Sequence, residues 1–94
     1  MRVRRQVNIL GHVYKVKREP LGGNVAGVTR FPERTIALEK TLKGETLTLT
    51  FLHEIWHAYQ YENGDMQIMH PQVQEKSCDQ FASFIISLKK QKVI

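Results

Sequence analysis

The sequence predicts an α+β fold in which a small antiparallel sheet of three or four strands is followed by two packed helices. Two observations support this prediction. Residues 3–38 contain short alternating segments separated by glycine and proline, as strands and turns do. Residues 44–90 carry apolar side chains at helical spacing in two runs, which are divided by Asn63 and Gly64. The chain has 94 residues, 41% of them hydrophobic and 24% charged, so we expect one domain over residues 1–94.

Two hairpins are predicted in the first half of the chain. The expected strands cover residues 3–10, 12–17, 25–30 and 34–38. Gly11 interrupts the first pair, and residues 31–33 form the turn of the second pair. Residues 20–24 are the most loop-like segment, because glycine and asparagine tolerate a positive φ and proline cannot continue a ladder. Gly27 does not fit the spacing of a phosphate-binding loop, so it too is expected in a turn.

Two helices are predicted in the second half. Apolar side chains recur at helical spacing in the first, at Leu49, Leu52, Trp56 and Tyr59. Although residues 46–50 alternate as a strand does, the longer period favours a helix over residues 44–62, which ends at Asn63-Gly64. Pro71 is a favoured first helical residue, and the second helix is expected to run to about Lys90. Its apolar stripe comprises Cys78, Phe81, Ile85 and Leu88.

The first predicted helix contains the segment His53-Glu54-Ile55-Trp56-His57. Histidines four residues apart lie on one face of a helix, where both can bind the same zinc ion. Glu54 then lies beside the metal, and its carboxylate can take a proton from a zinc-bound water whose pKa the metal has lowered to about 7. The pattern therefore predicts a zinc site with Glu54 as its general base.

A catalytic zinc ion usually has three protein ligands and one open position, so this site needs one more ligand. Glu75 is the best candidate, because Glu75 and Asp79 share one face of the second helix and that face can point at the first. We expect Glu75 to bind zinc and Asp79 to accept a hydrogen bond from the free ring nitrogen of a ligand histidine. Cys78 lies one turn from Glu75, but a buried apolar role is favoured for it over metal binding.

Residues 53–57, Glu75 at 18 residues beyond the second histidine, and Asp79 followed by Phe81-Ala82 together resemble the gluzincin branch of zinc metallopeptidases. Within that branch the chain most resembles the bacterial and phage ImmA/IrrE family. The resemblance covers residues 34–88. It implies a minimal zincin-like metallopeptidase core, with a strand hairpin ahead of the two helices.

The same resemblance implies the roles of individual residues. The zinc ligands, with one ion per chain, would be His53, His57 and Glu75. Glu54 would be the general base of peptide-bond hydrolysis. Asp79 stands where the family more often has Asn, and Ser77-Cys78 also departs from the family pattern. Family members characteristically act as regulatory proteases on repressors of phages or mobile elements, so the expected partner is a protein or peptide substrate such as a transcriptional repressor.

Two further parts of a peptidase are expected, and the sequence leaves one of them open. A hydrogen-bond donor must stabilise the tetrahedral oxyanion, and spacing does not choose among Tyr59, Tyr61 and His70. An extended substrate is expected to pair with the edge of the sheet, for which the strand over residues 34–38 is the candidate.

The charge balance defines an alternative function. The 14 basic and 9 acidic residues give a net charge of +5, which could attract nucleic acid or an acidic protein. The alternative is a non-catalytic, zinc-stabilised basic module that binds nucleic acid or a regulatory protein. Nucleic acid is not favoured, because neither interleaved aromatic and basic residues nor a helix-turn-helix pattern accompanies the charge.

Composition also bears on location. The single cysteine, Cys78, excludes an internal disulfide and suits a reducing cytoplasm. The apolar segments are shorter than the roughly 18–20 residues that a membrane span requires. The basic N-terminus leads into a polar segment rather than the apolar region of a secretory signal. We therefore expect a cytoplasmic protein that does not contact membranes.

Overall fold

A computed structural model describes residues 3–94 and shows four strands followed by two helices. The strands are β1 (Gln6–Ile9), β2 (His12–Glu19), β3 (Gly27–Arg30) and β4 (Thr35–Glu39). The helices are α1 (Gly44–Glu62) and α2 (Pro71–Lys90), joined through a short 3-10 turn (Asp65–Gln67). The α+β class and the order of elements are therefore confirmed. None of the helices in residues 3–94 combines the length and the apolar character needed to cross a membrane.

The sheet is mixed, with the spatial order β1-β2-β4-β3. The two predicted hairpins are present, since β1 pairs with β2 and β3 pairs with β4 in antiparallel register. The hairpins join through β2 and β4, which run parallel, so the expectation of a wholly antiparallel sheet is wrong for the central pair. Alternation along a strand predicts which face is buried. It does not predict which strands of two separate hairpins meet.

The edge of the sheet is also not where the sequence placed it. β4 lies between β2 and β3, and Ile36, Ala37 and Leu38 in it are fully inaccessible to solvent. A continuous apolar run of this kind is typical of a strand covered on both faces. β3 is the edge strand on this side of the sheet, and it is the strand that packs most extensively against α1.

The hydrophobic core lies between the inner face of the sheet and α1. Its buried members are Ile9, Tyr14, Ile36, Leu38, Phe51 and Ala58. α2 packs on α1 and contributes Cys78 and Ala82, both buried, while the rest of its predicted stripe is half-buried. Burial of the apolar faces of both helices is the main force that holds α1 and α2 side by side.

The ends of both helices follow from local chemistry. α1 stops at Glu62, and Gly64 follows it with a φ of 87°, a backbone conformation that glycine adopts without strain. α2 begins at Pro71, as predicted, and the ring of His70 accepts a hydrogen bond from the backbone N–H of Gln72 at 3.1 Å. The bounds of both helices agree with those predicted from the sequence.

A partly buried ion pair ties the C-terminal end of α1 to the sheet. The Arg34 guanidinium donates two hydrogen bonds to the Glu62 carboxylate, from Nε to Oε2 at 2.8 Å and from Nη2 to Oε1 at 3.2 Å. The buried Tyr14 hydroxyl donates to the same carboxylate. The Arg34 hydrogen bond and, after it, that of Tyr14 lower the pKa of Glu62 to about 2. This pairing holds the C-terminal end of α1 against the sheet.

Candidate metal centre

α1 presents His53 and His57 on one face, one helical turn apart. Their rings meet edge to face with centroids 4.9 Å apart, and both side chains are largely shielded from solvent. The Nε2 atoms of both rings face α2, across the groove between the two helices. The spacing of the histidines therefore brings two nitrogen donors together, as the helical period requires.

Glu75 of α2 lies between these two nitrogens. Its Oε2 is 3.0 Å from His53 Nε2, and its Oε1 is 2.9 Å from His57 Nε2. In a tetrahedral zinc site with bonds of about 2.0–2.1 Å, the ligand atoms are separated by roughly 3.3 Å. The two imidazoles and the carboxylate thus form a donor set that fits zinc, both in chemistry and in spacing.

Asp79 extends the arrangement from the next turn of α2. Its Oδ1 lies 2.8 Å from His53 Nδ1, on the side of the ring opposite Glu75. With the proton on Nδ1, His53 donates to Asp79 and keeps the Nε2 lone pair available for a metal. The side chains of Glu75 and Asp79 are exposed, so the site opens to solvent along α2.

Glu54 is buried between α1 and β3. Its Oε2 is 4.0 Å from His53 Nε2, and its Oε1 accepts a hydrogen bond from the Thr29 hydroxyl at 2.8 Å. Burial raises the pKa of Glu54 above its ordinary value, against the opposing effects of the Thr29 hydrogen bond and the two histidines. A buried carboxyl with a raised pKa, beside a metal-binding face, has the properties of a general base.

Gly27 allows the close approach of β3 to Glu54. A Cβ atom at this position would lie 2.8 Å from Thr50 Cγ2 and 3.1 Å from Glu54 Cγ. Sequence reasoning placed Gly27 inside the predicted strand over residues 25–30 but gave it the role of a turn; Gly27 begins β3, so the turn is wrong. Thr29, which contacts the candidate base, was not singled out. A glycine inside a strand pattern indicates that another part of the chain approaches the backbone closely. Gly27 was therefore the sequence signal that could have predicted the contact of β3 with Glu54.

Cys78 lies beneath the same site. Its Sγ and one ring nitrogen each from His53 and His57 all fall within 4.8 Å of one another. The thiol donates to the buried Gln60 Oε1 at 3.6 Å, and burial raises the pKa of Cys78 to about 12. A neutral thiol directed at Gln60 is a weaker third donor than the Glu75 carboxylate, which already contacts both histidines.

The three candidates for oxyanion stabilisation all have other contacts. Tyr59 stacks on Trp56 with ring centroids 4.5 Å apart, and Tyr61 stacks on Phe31 at 4.1 Å. His70 accepts the hydrogen bond that begins α2. The structure brings together Glu54, the three predicted ligands and Asp79, but it does not bring these three side chains into contact with that group.

Comparison of the chain with protein-family models, with curated proteins and with solved structures finds no match. Inferences about function therefore rest on the geometry of the metal centre.

Proposed function

We propose that this chain is a zinc-dependent metalloendopeptidase of the ImmA/IrrE type. One observation carries the proposal: Glu75 lies within 3.0 Å of both histidine Nε2 atoms, and Oε2 of the buried Glu54 lies 4.0 Å from the same Nε2 atom of His53. A purely structural zinc site has no use for a buried carboxyl next to its ligands. A hydrolytic site requires one.

Each side chain has a defined task in the proposed reaction. His53, His57 and Glu75 hold the metal, and Asp79 orients the His53 ring. When bound, zinc acidifies a water molecule and polarises the carbonyl of the scissile peptide. Glu54 would accept a proton from a water molecule held beside it and would later deliver that proton to the leaving amine. The raised pKa of Glu54 suits it to hold the proton between these two steps.

The open edge of β3 supports binding of an extended peptide. Within residues 3–94, β3 pairs with β4 along one edge, and no strand pairs with its other edge. A peptide added there by β-augmentation would run past Gly27 and over the carboxyl of Glu54. β3 therefore takes the place of residues 34–38 in the proposal. We propose a narrow regulatory substrate, such as a transcriptional repressor in the cytoplasm.

A basic binding module is the second candidate function. Lys15 and Lys17 are exposed on β2, on the face of the sheet opposite the buried Tyr14. This surface could attract an acidic partner or nucleic acid through a salt-sensitive interaction. The buried Glu54 has no role in such binding, so peptide hydrolysis is preferred.

Incubation with a proteome-derived peptide library, read by mass spectrometry, tests the proposed activity. The zinc-loaded chain is expected to cleave a restricted set of peptides. Removal of zinc by a chelator should abolish cleavage, and added zinc should restore it. Absence of cleavage by the zinc-loaded chain, together with salt-sensitive retention on DNA or RNA, would favour the binding module instead.

A further inference from the structure

Two cavities flank the metal-binding side chains along β3. One has a volume of about 430 Å³ and extends toward Leu49, and the other has a volume of about 360 Å³ and extends toward Glu75. Gly27, His53 and Glu54 line both cavities. The two cavities are therefore halves of one cleft, which passes over the metal centre in the direction of β3.

The two halves differ in chemistry. The half toward Leu49, which we term the Leu49 cavity, has mainly small or apolar walls beyond the metal centre, contributed by Val25, Ala26, Leu49, Thr50, Ala82 and Ser83. The other half adds polar groups to its lining, among them Thr29, Gln74 and Glu75. Of the described residues that line the Leu49 cavity, none is lysine or arginine.

The shape of the Leu49 cavity follows from three elements that meet around it. β3 forms one wall, α1 contributes Leu49, and α2 contributes Ala82, whose small side chain leaves space above the helix surface. The carboxyls at its mouth belong to Glu54, which is bonded to Thr29, and to Asp79, which is bonded to His53. These two acids disfavour an acidic guest. A basic guest would meet them only at the mouth and would lose hydration against the deeper walls, which carry no charged group.

We infer that the Leu49 cavity is the specificity pocket of this chain, and that it binds one uncharged apolar side chain of leucine or phenylalanine size, next to the scissile bond of a peptide that lies along β3. This inference rests on the proposed function, because it takes the metal centre to be the place where the peptide is cut.

Calorimetric titration of the zinc-loaded chain with hydroxamates tests the pocket without requiring turnover. A hydroxamate group binds zinc directly, so the N-acetyl hydroxamates of glycine, leucine, phenylalanine, glutamate and lysine differ only in the side chain offered to the cavity. The leucine and phenylalanine compounds are expected to bind about tenfold or more tightly than the glycine compound. The glutamate and lysine compounds should bind no more tightly than glycine.

Variants locate the effect in the cavity. Leu49→Ala should reduce the preference for leucine over glycine, and Ser83→Phe, at an exposed rim position, should abolish it by filling the space. Ile68→Ala is the matched control, because Ile68 is 84% exposed and does not line the cavity. It should leave the preference unchanged.

The outcomes separate the pocket from the proposed function. Equal binding of all five compounds, tightest binding of the lysine or glutamate compound, or a leucine preference that survives Ser83→Phe would overturn the pocket while leaving the metal centre intact. If the glycine compound also fails to bind, or zinc itself does not bind, then the proposed function falls and the pocket falls with it.

Discussion

Glu54 and Glu62 both lie in α1 with buried side chains, yet their surroundings act on them in opposite ways. The Glu62 carboxylate is met by the Arg34 guanidinium and the Tyr14 hydroxyl, and its pKa is lowered to about 2. The Glu54 carboxyl has a neutral hydroxyl, that of Thr29, as its hydrogen-bond partner, and burial raises its pKa.

This contrast distinguishes an anchor from a reactive group. A carboxylate whose charge is fully compensated stays ionised and holds two elements together. A buried carboxyl whose charge is not fully compensated has a raised pKa, and a raised pKa favours the acceptance of a proton, which is what general-base catalysis needs. The same helix therefore carries a structural glutamate, Glu62, near the sheet and a proposed general base, Glu54, at the candidate metal centre.

Replacement of each glutamate by glutamine gives the largest expected effect. Glu54→Gln should lower cleavage of the peptide library by about 10²–10⁴-fold, since it removes the proposed general base. Zinc content should be unchanged, because Glu54 is not one of the proposed ligands. Glu62→Gln is the matched control and should retain the activity of the folded chain. Equal loss of activity in both variants would contradict the assignment of different roles.

Arg34→Met tests the anchor. It leaves the Glu62 carboxylate, whose side chain is 4% exposed, without the Arg34 guanidinium, and we expect the free energy of unfolding to fall by more than in the control. Arg30→Met is the control, because the Arg30–Glu19 pair is more exposed at 39% and 33% and should contribute less than about 1 kcal/mol. Urea unfolding measures both. A loss in Arg30→Met as large as that in Arg34→Met would refute the distinction.

The dependence of stability on pH provides a second test of the Glu62 ion pair. Because the folded-state pKa of Glu62 is lowered to about 2, its contribution to stability is complete above the ordinary pKa of 4.5 and is lost as the pH falls from there toward 2. The stability difference between wild type and Glu62→Gln should therefore shrink over this window. Urea midpoints from pH 7 to pH 2 provide the measurement, and a difference that stays constant over that range would be inconsistent with the ion pair.

Thr29→Val tests how the reactive glutamate is positioned. The substitution removes the hydroxyl that donates to Glu54 Oε1 at 2.8 Å but keeps the shape of the side chain. We expect cleavage of the library to fall about tenfold, in keeping with the loss of one hydrogen bond of about 1.4 kcal/mol to a charged group. Zinc content should not change. Thr29→Ser keeps the hydroxyl and should restore most of the activity, and a serine variant as slow as the valine variant would argue against this role.

The smallest expected effect is the change in stability that Glu54→Gln causes in the metal-free chain. A carboxyl with a raised pKa costs stability once the pH exceeds its ordinary pKa, so its removal should stabilise the metal-free fold at pH 7. Below pH 4 the two chains should be equally stable. A variant less stable than the wild type at pH 7 would show that the Glu54 charge is compensated after all.

The helices and the residues they carry could be predicted because their signals are local. The period of α1 places His53, Glu54 and His57, and the period of α2 places Glu75 and Asp79, so two packed helices suffice to join them. Pro71 and Gly64 mark helix ends through their own backbone preferences.

The sheet topology and the contribution of β3 could not be predicted in the same way. The parallel pairing of β2 with β4 depends on how two hairpins dock, which no local pattern records. Gly27 and Thr29 reach Glu54 only once β3 becomes the edge strand beside α1. The sequence therefore did not predict the residues that reach the site only through the packing of one element on another, because no spacing within a single element marks them.

Metal stoichiometry by elemental mass spectrometry tests the central claim most directly. Wild type purified without added metal is compared with His57→Ala, Glu75→Ala and Cys78→Ala. We predict about one zinc ion per chain in the wild type, its loss in the first two variants and its retention in Cys78→Ala. A folded wild type that neither contains nor takes up zinc would contradict the account, as would zinc that is lost in Cys78→Ala but kept in Glu75→Ala.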